Sequence, residues 1–215
     1  MEILKNVTLF RDIAAGDLSS MLSCLLAETV RYQKNEILLL TGEKPERVGI
    51  VLSGRLQVVK ESLEGERTLM AILEPCDLFA EALCCAGVEE SPVTVIADSD
   101  SEVMLLDFPH ILHTCSNSCA FHHKLIENML RIIANKNLFL QDRMDIVRKR
   151  SVREKVLSYL EAFAVKQGGR TVTIPMNREE MANYLCVERS ALSHELMKMK
   201  RDGMLQYNKN SFTLL

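Results

Sequence analysis

The stretch MNREEMANYLCVERSALSHELMKMKRDGML (176–205) constrains this chain more than any other, because it carries start, turn and stop signals for two short consecutive helices. Asn177 followed by Glu180 is a capping-box pattern, and Pro175 keeps the preceding extended segment from running into the helix. Met181 and Leu185, four apart, give the first helix a buried stripe. After a turn at Cys186 and Val187 the apolar residues return at Leu192, Leu196 and Met199, and Gly203 is placed to end the second helix. The opposite face then shows Arg189, Ser190, Ser193 and His194 near the N-terminal end, the end that a helix-turn-helix inserts into a DNA major groove. An ordinary helical hairpin at the C-terminus of an enzyme has the same spacing.

Charge separates these readings further. The whole chain of 215 residues carries a net charge of −3, yet residues 148–215 carry +6 and the remainder −9. A basic C-terminal third on an acidic body is the footprint of a nucleic-acid binder with a separate second module, although a charge block can also be a solvated face. No apolar run reaches membrane-spanning length, and the N-terminus MEILKNVTLFRDI is not a signal sequence, so the expected location is cytoplasmic with no membrane partner. The odd number of Cys, 7, lacks the spacing of a small secreted domain and predicts mostly reduced, packed thiols.

Upstream, 12–26 has Leu18, Met21, Leu22 and Leu25 on one side of a short amphipathic helix. From Thr29 to Phe108 the pattern changes to short β-type runs (GIVLSG, LQVVKES, TLMAIL, VTVIA, EVMLLDF) broken at Gly42, Gly54, Gly65, Pro75 and 98–100. Such spacing predicts an antiparallel barrel or sandwich. A helix free of Gly and Pro follows over roughly 119–150. In it Ile126, Leu130, Ile133, Asn137, Leu140, Met144 and Val147 alternate at spacings of four and three, a heptad seam with Asn137 at an a position. The seam predicts a parallel homodimer, and packing on its own domain is the alternative. Residues 151–167 form another helix ended by Gly168 and Gly169; 171–175 is a strand, and 205–215 a terminal hairpin, which makes the last part a winged helix-turn-helix. The fold class is therefore α+β, with a small antiparallel barrel or sandwich over 1–118 (which the resemblance given below makes an effector-binding β-roll), a dimerisation helix over 119–147 and the winged domain over 148–215. The domain boundary is expected near Ile146 to Ser151, with a hinge near Ile146 to Arg150.

With these stretches in this order, the chain resembles the Crp/Fnr family of bacterial transcription regulators. The resemblance is carried by TGEKPERVGIVLSGRLQVVKESLEGE, by EPCDLFAEALCCAGVEESPVTVIA and by REEMANYLCVERSALSHELMKMKRDGML. It implies a cyclic-nucleotide-binding-like roll and a dimer that places two recognition helices on an inverted-repeat site in double-stranded DNA, with RNA polymerase a further partner of an activator. Its base-reading positions fall on Arg189, Ser190, Ser193 and His194, with Arg178, Lys198, Lys200 and Arg201 as phosphate contacts or solvated charge. The family most often has Arg where this chain has His194.

Nucleotide-binding members hold the cyclic phosphate in a Gly-Glu…Arg-Ser/Thr cassette. Here Glu81 remains, Ala80 replaces the Gly, and Ser91-Pro92 replaces the Arg-Ser pair. Loss of the phosphate's charge partner costs about 3–5 kcal/mol and Pro92 removes a backbone donor, so cyclic AMP is not the expected effector. The candidate pocket comprises Glu81, Ala82, Ser91, Pro92 and, by resemblance, Lys136 and Asn137 of the long helix; the effector itself is not specified. A redox- or haem-responsive regulator is the nearest alternative. The iron–sulfur arrangement of the oxygen-sensing branch needs an N-terminal cysteine cluster, and this N-terminus has only Cys24. Cys84-Cys85 reads as packing. The group His110, His113, Cys115, Cys119, His122, His123 shows no ligand spacing and reads as core filling or polar surface, so no metal site and no cofactor are assigned. An enzyme reading finds no catalytic residues, no nucleophile–base motif and no His before His110 for a cupin-type metal centre. An interaction module that has lost DNA binding is the remaining alternative.

Overall fold

The computed structural model describes residues 2–62, 67–112 and 120–215. The chain divides into two units, Met1–Asn135 and Lys136–Leu215, with the division inside the long helix.

In the first unit two 3-10 turns (Ile3–Asn6 and Thr8–Phe10) lead into α1 (Ala15–Cys24), shorter than the 12–26 expected. Backbone at Asp12 and Leu26 lies in the left-handed region, at φ of 61° and 48°, and bounds the helix on both sides. The strands are β1 (Glu28–Tyr32), β2 (Ile37–Leu39), β3 (Arg47–Ser53), β4 (Leu56–Glu61), β5 (Arg67–Leu73), β6 (Leu78–Phe79), β7 (Thr94–Ala97) and β8 (Ser101–Asp107). They form two antiparallel four-stranded sheets, β1-β8-β3-β6 and β2-β7-β4-β5. Alternation along β3 and β8 sends Val48, Ile50, Met104 and Leu106 into a core shared with α1, while Val51 and Val103 fill the space between the sheets. Because β3 is buried on both faces, its sequence reads as the unbroken apolar run GIVL. Gly49 is required there: a Cβ would lie 2.0 Å from the ring of Phe79. A short α2 (Glu81–Ala86) and α3 (Phe108–Leu112) complete the roll.

The long helix α4 (Ala120–Val147) has two apolar stripes. Leu125, Met129 and Ile132 join the core of the first unit. Between them Asn128 is buried, its amide donating to the carbonyl oxygens of Leu9 (3.0 Å) and Arg11 (2.7 Å), so the polar group is satisfied. The heptad seam faces outward: Leu130, Leu140 and Met144 are 66%, 55% and 51% exposed. Asn137 is exposed as well, and Ile126, Ile133 and Val147 are half-buried.

The second unit begins within α4. Ile146 is buried with Tyr159 and Leu185, so the last turns of the helix pack with the C-terminal core rather than ending a separate segment near residue 147. Helix α5 (Val152–Gln167) opens on a capping box made by Ser151 and Glu154 and closes at Gly168, where φ is 70°. Then come β9 (Thr171–Thr173), α6 (Arg178–Leu185), α7 (Arg189–Arg201), β10 (Leu205–Asn208) and β11 (Ser211–Leu214). The sheet order is β10-β11-β9, and Phe212 carries the hairpin into the core beside Leu196 and Met199. The roll, the long helix and the winged helix-turn-helix read from the sequence are all present.

Candidate nucleic-acid interface and effector site

Asn177 accepts from the backbone of Glu179 and Glu180, and the Glu180 side chain reaches back to the Asn177 N–H at 2.7 Å, the reciprocal cap that starts α6. Its end is set by Cys186 in the left-handed region (φ 51°), after which Glu188 is the N-cap of α7. The last carbonyls of α6 are gathered by cations from outside the motif. Arg143 of α4 donates to the Tyr184 oxygen (3.2 Å) and lies 5.0 Å over its ring, and the Lys155 ammonium of α5 donates to Leu185 (3.2 Å) and Cys186 (3.4 Å). Arg153 of α5 bridges Glu195 on α7 (2.6 Å) and Asp202 at its C-cap (2.8 Å). These bonds fix the angle between the two helices from the side opposite the presented face.

Most of the residues that the sequence nominated lie at the surface of α7. With Leu192, Leu196 and Met199 buried, α7 exposes Arg189, Ser190, His194 and Lys198, while Ser193 is half-buried. No acidic residue occupies the first turn, and Glu188 makes no side-chain cap, so the positive end of the helix dipole coincides with Arg189. Arg178 is placed differently from the other candidates. Its guanidinium stacks on Tyr207 (5.3 Å) and Phe212 (5.0 Å) and donates to the Lys209 oxygen (3.1 Å), and burial pushes its pKa down. It therefore ties α6 to the β10–β11 hairpin. Lys200 also approaches Tyr207, at 5.4 Å, while Arg201 is exposed.

Sequence reasoning missed Arg143, Arg153 and Lys155, whose partners lie 30 to 51 positions away and leave no local signal. It also passed over Met197, 57% exposed on the presented face. Apolar residues at helical spacing read as core, but Met197 falls outside the 192-196-199 stripe, and that offset is visible in the sequence.

The effector candidates contrast with this surface. Glu81 is 3% exposed at the start of α2, just after Ala80 in the left-handed region (φ 61°). Ser91 is buried and used by the chain itself: its hydroxyl donates to the Val93 oxygen (2.7 Å), its N–H to the Glu43 oxygen (2.8 Å), and its oxygen accepts from Gly42 (2.9 Å). Ala82 and Pro92 are exposed, as are Lys136 and Asn137, which fall in the second unit. Nothing in the Ser91-Pro92 segment offers a cation or a donor to a phosphodiester. A pocket of about 220 Å³ lies nearby, lined by Leu38, Glu43, Arg47, Phe79, Ala80 and Leu105 among others.

Of the Cys and His residues, Cys84 is buried with its thiol donating to the oxygens of Pro45 (3.3 Å) and Arg47 (3.6 Å), and burial pushes its pKa up to about 12. Cys85 is exposed, although partial burial raises its thiol too. His122 is fully buried, with Nε2 3.7 Å from the Cys24 sulfur; His123 is exposed; and His110 bonds Asp107 at 2.6 Å. His113, Cys115 and Cys119 lie outside the described residues. Among the described residues no three His, Cys, Asp or Glu side chains converge on a metal position, and no helix is long and apolar enough to cross a membrane.

Comparison with known proteins matches residues 29–118 to the cyclic nucleotide-binding domain and residues 154–215 to the Crp-like helix-turn-helix domain. The chain is similar to the "CRP-like cAMP-activated global transcriptional regulator" of Mycobacterium tuberculosis, at 22% identity over 98% of this chain and 93% of that protein. It is also similar to the "Transcriptional activator protein FnrL" of Cereibacter sphaeroides, at 24% identity over 81% of this chain and 71% of that protein. In fold it matches a CooA mutant from Carboxydothermus hydrogenoformans with a TM-score of 0.63 and 21% identity, covering 99% of this chain and 90% of that one.

Proposed function

Because this chain belongs to the Crp/Fnr family of transcription regulators, we propose that it works as a homodimer on an inverted-repeat operator under the control of an effector other than cyclic AMP. The observation that carries this reading is the exposed face of α7, led by Arg189 and backed by a helix dipole of the same sign. Arg189 suits bidentate contact to guanine, and Ser190 and Ser193 suit a base edge or a phosphate. His194 takes the place of an Arg and is too short to repeat its fork. Lys198 and Arg201 serve the backbone, while Arg178 acts chiefly by holding the wing.

Homodimerisation is supported by the exposed stripe Leu130, Leu140 and Met144, continued by Ile126, Ile133 and Val147, since apolar side chains recurring every three to four residues on a long helix seek a partner. Asn137 at an a position favours a parallel pair in register. A twofold axis along α4 would set two copies of α7 about 34–36 Å apart, one turn of the duplex. The effector domain would bias that spacing, an equilibrium between two arrangements of the dimer that the ligand shifts.

The Mycobacterium tuberculosis relative is by name activated by cAMP. In this chain the segment aligned with the phosphate cassette turns Ser91 inward and offers Pro92 in place of a donor, which argues for a different ligand. The test is selection of bound fragments from genomic DNA by the purified protein, with sedimentation to give its state. An enriched inverted repeat bound by a dimer is expected, as is the absence of any effect of cyclic AMP on affinity. Enrichment of nothing beyond nonspecific DNA, or binding by a monomer, would overturn the proposal.

A further inference from the structure

An exposed apolar side chain stands at one edge of the presented face of α7. Leu192, Leu196 and Met199 define its buried side. At about 100° per residue, Ser190, His194, Met197 and Arg201 fall within a stripe about 60° wide on the opposite side. Met197 is 57% exposed, whereas the other apolar residues of the helix beyond its first turn, Leu192, Leu196 and Met199, are 1% exposed or less. It lies two turns beyond Arg189, about 12 Å along the helix axis, a distance comparable with the width of the major groove. The residues around it leave it outward: Glu195 is drawn away by Arg153, and Lys200 is turned toward Tyr207.

We infer that Met197 is a specificity-determining residue that reads the 5-methyl group of a thymine in each half-site. This rests on the DNA-binding reading above and extends it to a residue and a base. In the major groove the thymine methyl is the one apolar feature of a base edge, and it is matched by apolar side chains. A thioether on three rotatable bonds adapts to such a contact without a fixed geometry. Hydrogen-bonding side chains on either side of it, Ser193 and His194, fix the register, so the methyl contact acts at one position rather than along the whole groove.

The experiment uses the full-length protein and the operator it selects from a random DNA library. Each thymine is replaced in turn by deoxyuridine, which removes only the methyl group, and affinity is read by fluorescence anisotropy. One thymine per half-site is expected to be sensitive, with about a fourfold loss at that position, the worth of one buried methyl. Met197→Ala should bind the same operator with that sensitivity gone and with its responses at other positions unchanged. Met197→Lys should bind with a steeper salt dependence and should no longer distinguish thymine from deoxyuridine there. An operator without a sensitive thymine, or the same sensitivity in Met197→Ala, overturns the inference while leaving DNA binding in place. Failure of the wild-type protein to select any operator overturns the DNA-binding reading and this inference with it.

Discussion

Polar residues nominated as ligand-binding have opposite fates in the two units. In the roll, Ser91 is folded inward with its hydroxyl, N–H and carbonyl all committed to neighbouring backbone, and Glu81 is buried at the head of α2. In the winged unit, Arg189, Ser190 and His194 stand on the surface, while the groups that hold them there (Arg143, Arg153, Lys155) approach from behind. Ser91 bonds its own backbone because a buried donor or acceptor without a partner is costly. A helix tip that binds a polyanion faces no such pressure, since water satisfies its polar groups until the partner arrives.

This contrast can be broken most severely in the cores. Leu196→Ala leaves a cavity under α7 and should destabilise the second unit by about 2–5 kcal/mol, with the unfolding transition of the first unit unmoved in calorimetry. A single merged loss would show that the two units do not melt separately. Next in size, Arg189→Ala should weaken operator binding by about 1–3 kcal/mol with no change in melting temperature, measured by anisotropy and calorimetry on one preparation. Arg178→Ala is the crossing case: losing the stack on Tyr207 and Phe212 should cost about 1–2 kcal/mol of stability and weaken DNA binding through the wing. If its stability is unchanged, Arg178 belongs with the surface contacts after all. The smallest effect is expected in the roll, where Ser91→Ala removes the bond to Val93 and should cost about 1 kcal/mol with operator affinity intact.

Much of the second unit was legible because its signals are local. The Asn177–Glu180 cap, the 192-196-199 stripe and Gly168 each act within a turn or two of their own position, and each appears where the spacing placed it. The strands of the roll were legible as a class, yet β1 and β2 were not singled out. β1 is a sheet-edge strand with polar residues alternating through ETVRY, and β2 has only three residues. The cations behind α6 and α7 were invisible for another reason: a Lys or Arg on a helix reads as solvated charge until a carbonyl or carboxylate from a distant segment is placed beside it.

Helix α4 marks the boundary between what sequence and tertiary structure decide. Its periodicity alone established a long helix with one heptad seam, open to pairing with a second copy or to packing on its own domain, and caps, turn residues and charge partition established three segments in their order. Which stripe goes inward was decided only when the N-terminal turns and the roll supplied the partner for Leu125, Met129 and Ile132 and the carbonyls for Asn128, leaving Leu130, Leu140 and Met144 outside. Periodicity is a property of neighbouring residues, whereas burial depends on what a distant part of the chain brings into contact. The same holds for Arg178, whose charge suggested a phosphate and whose guanidinium the fold places over the neighbouring rings of Tyr207 and Phe212.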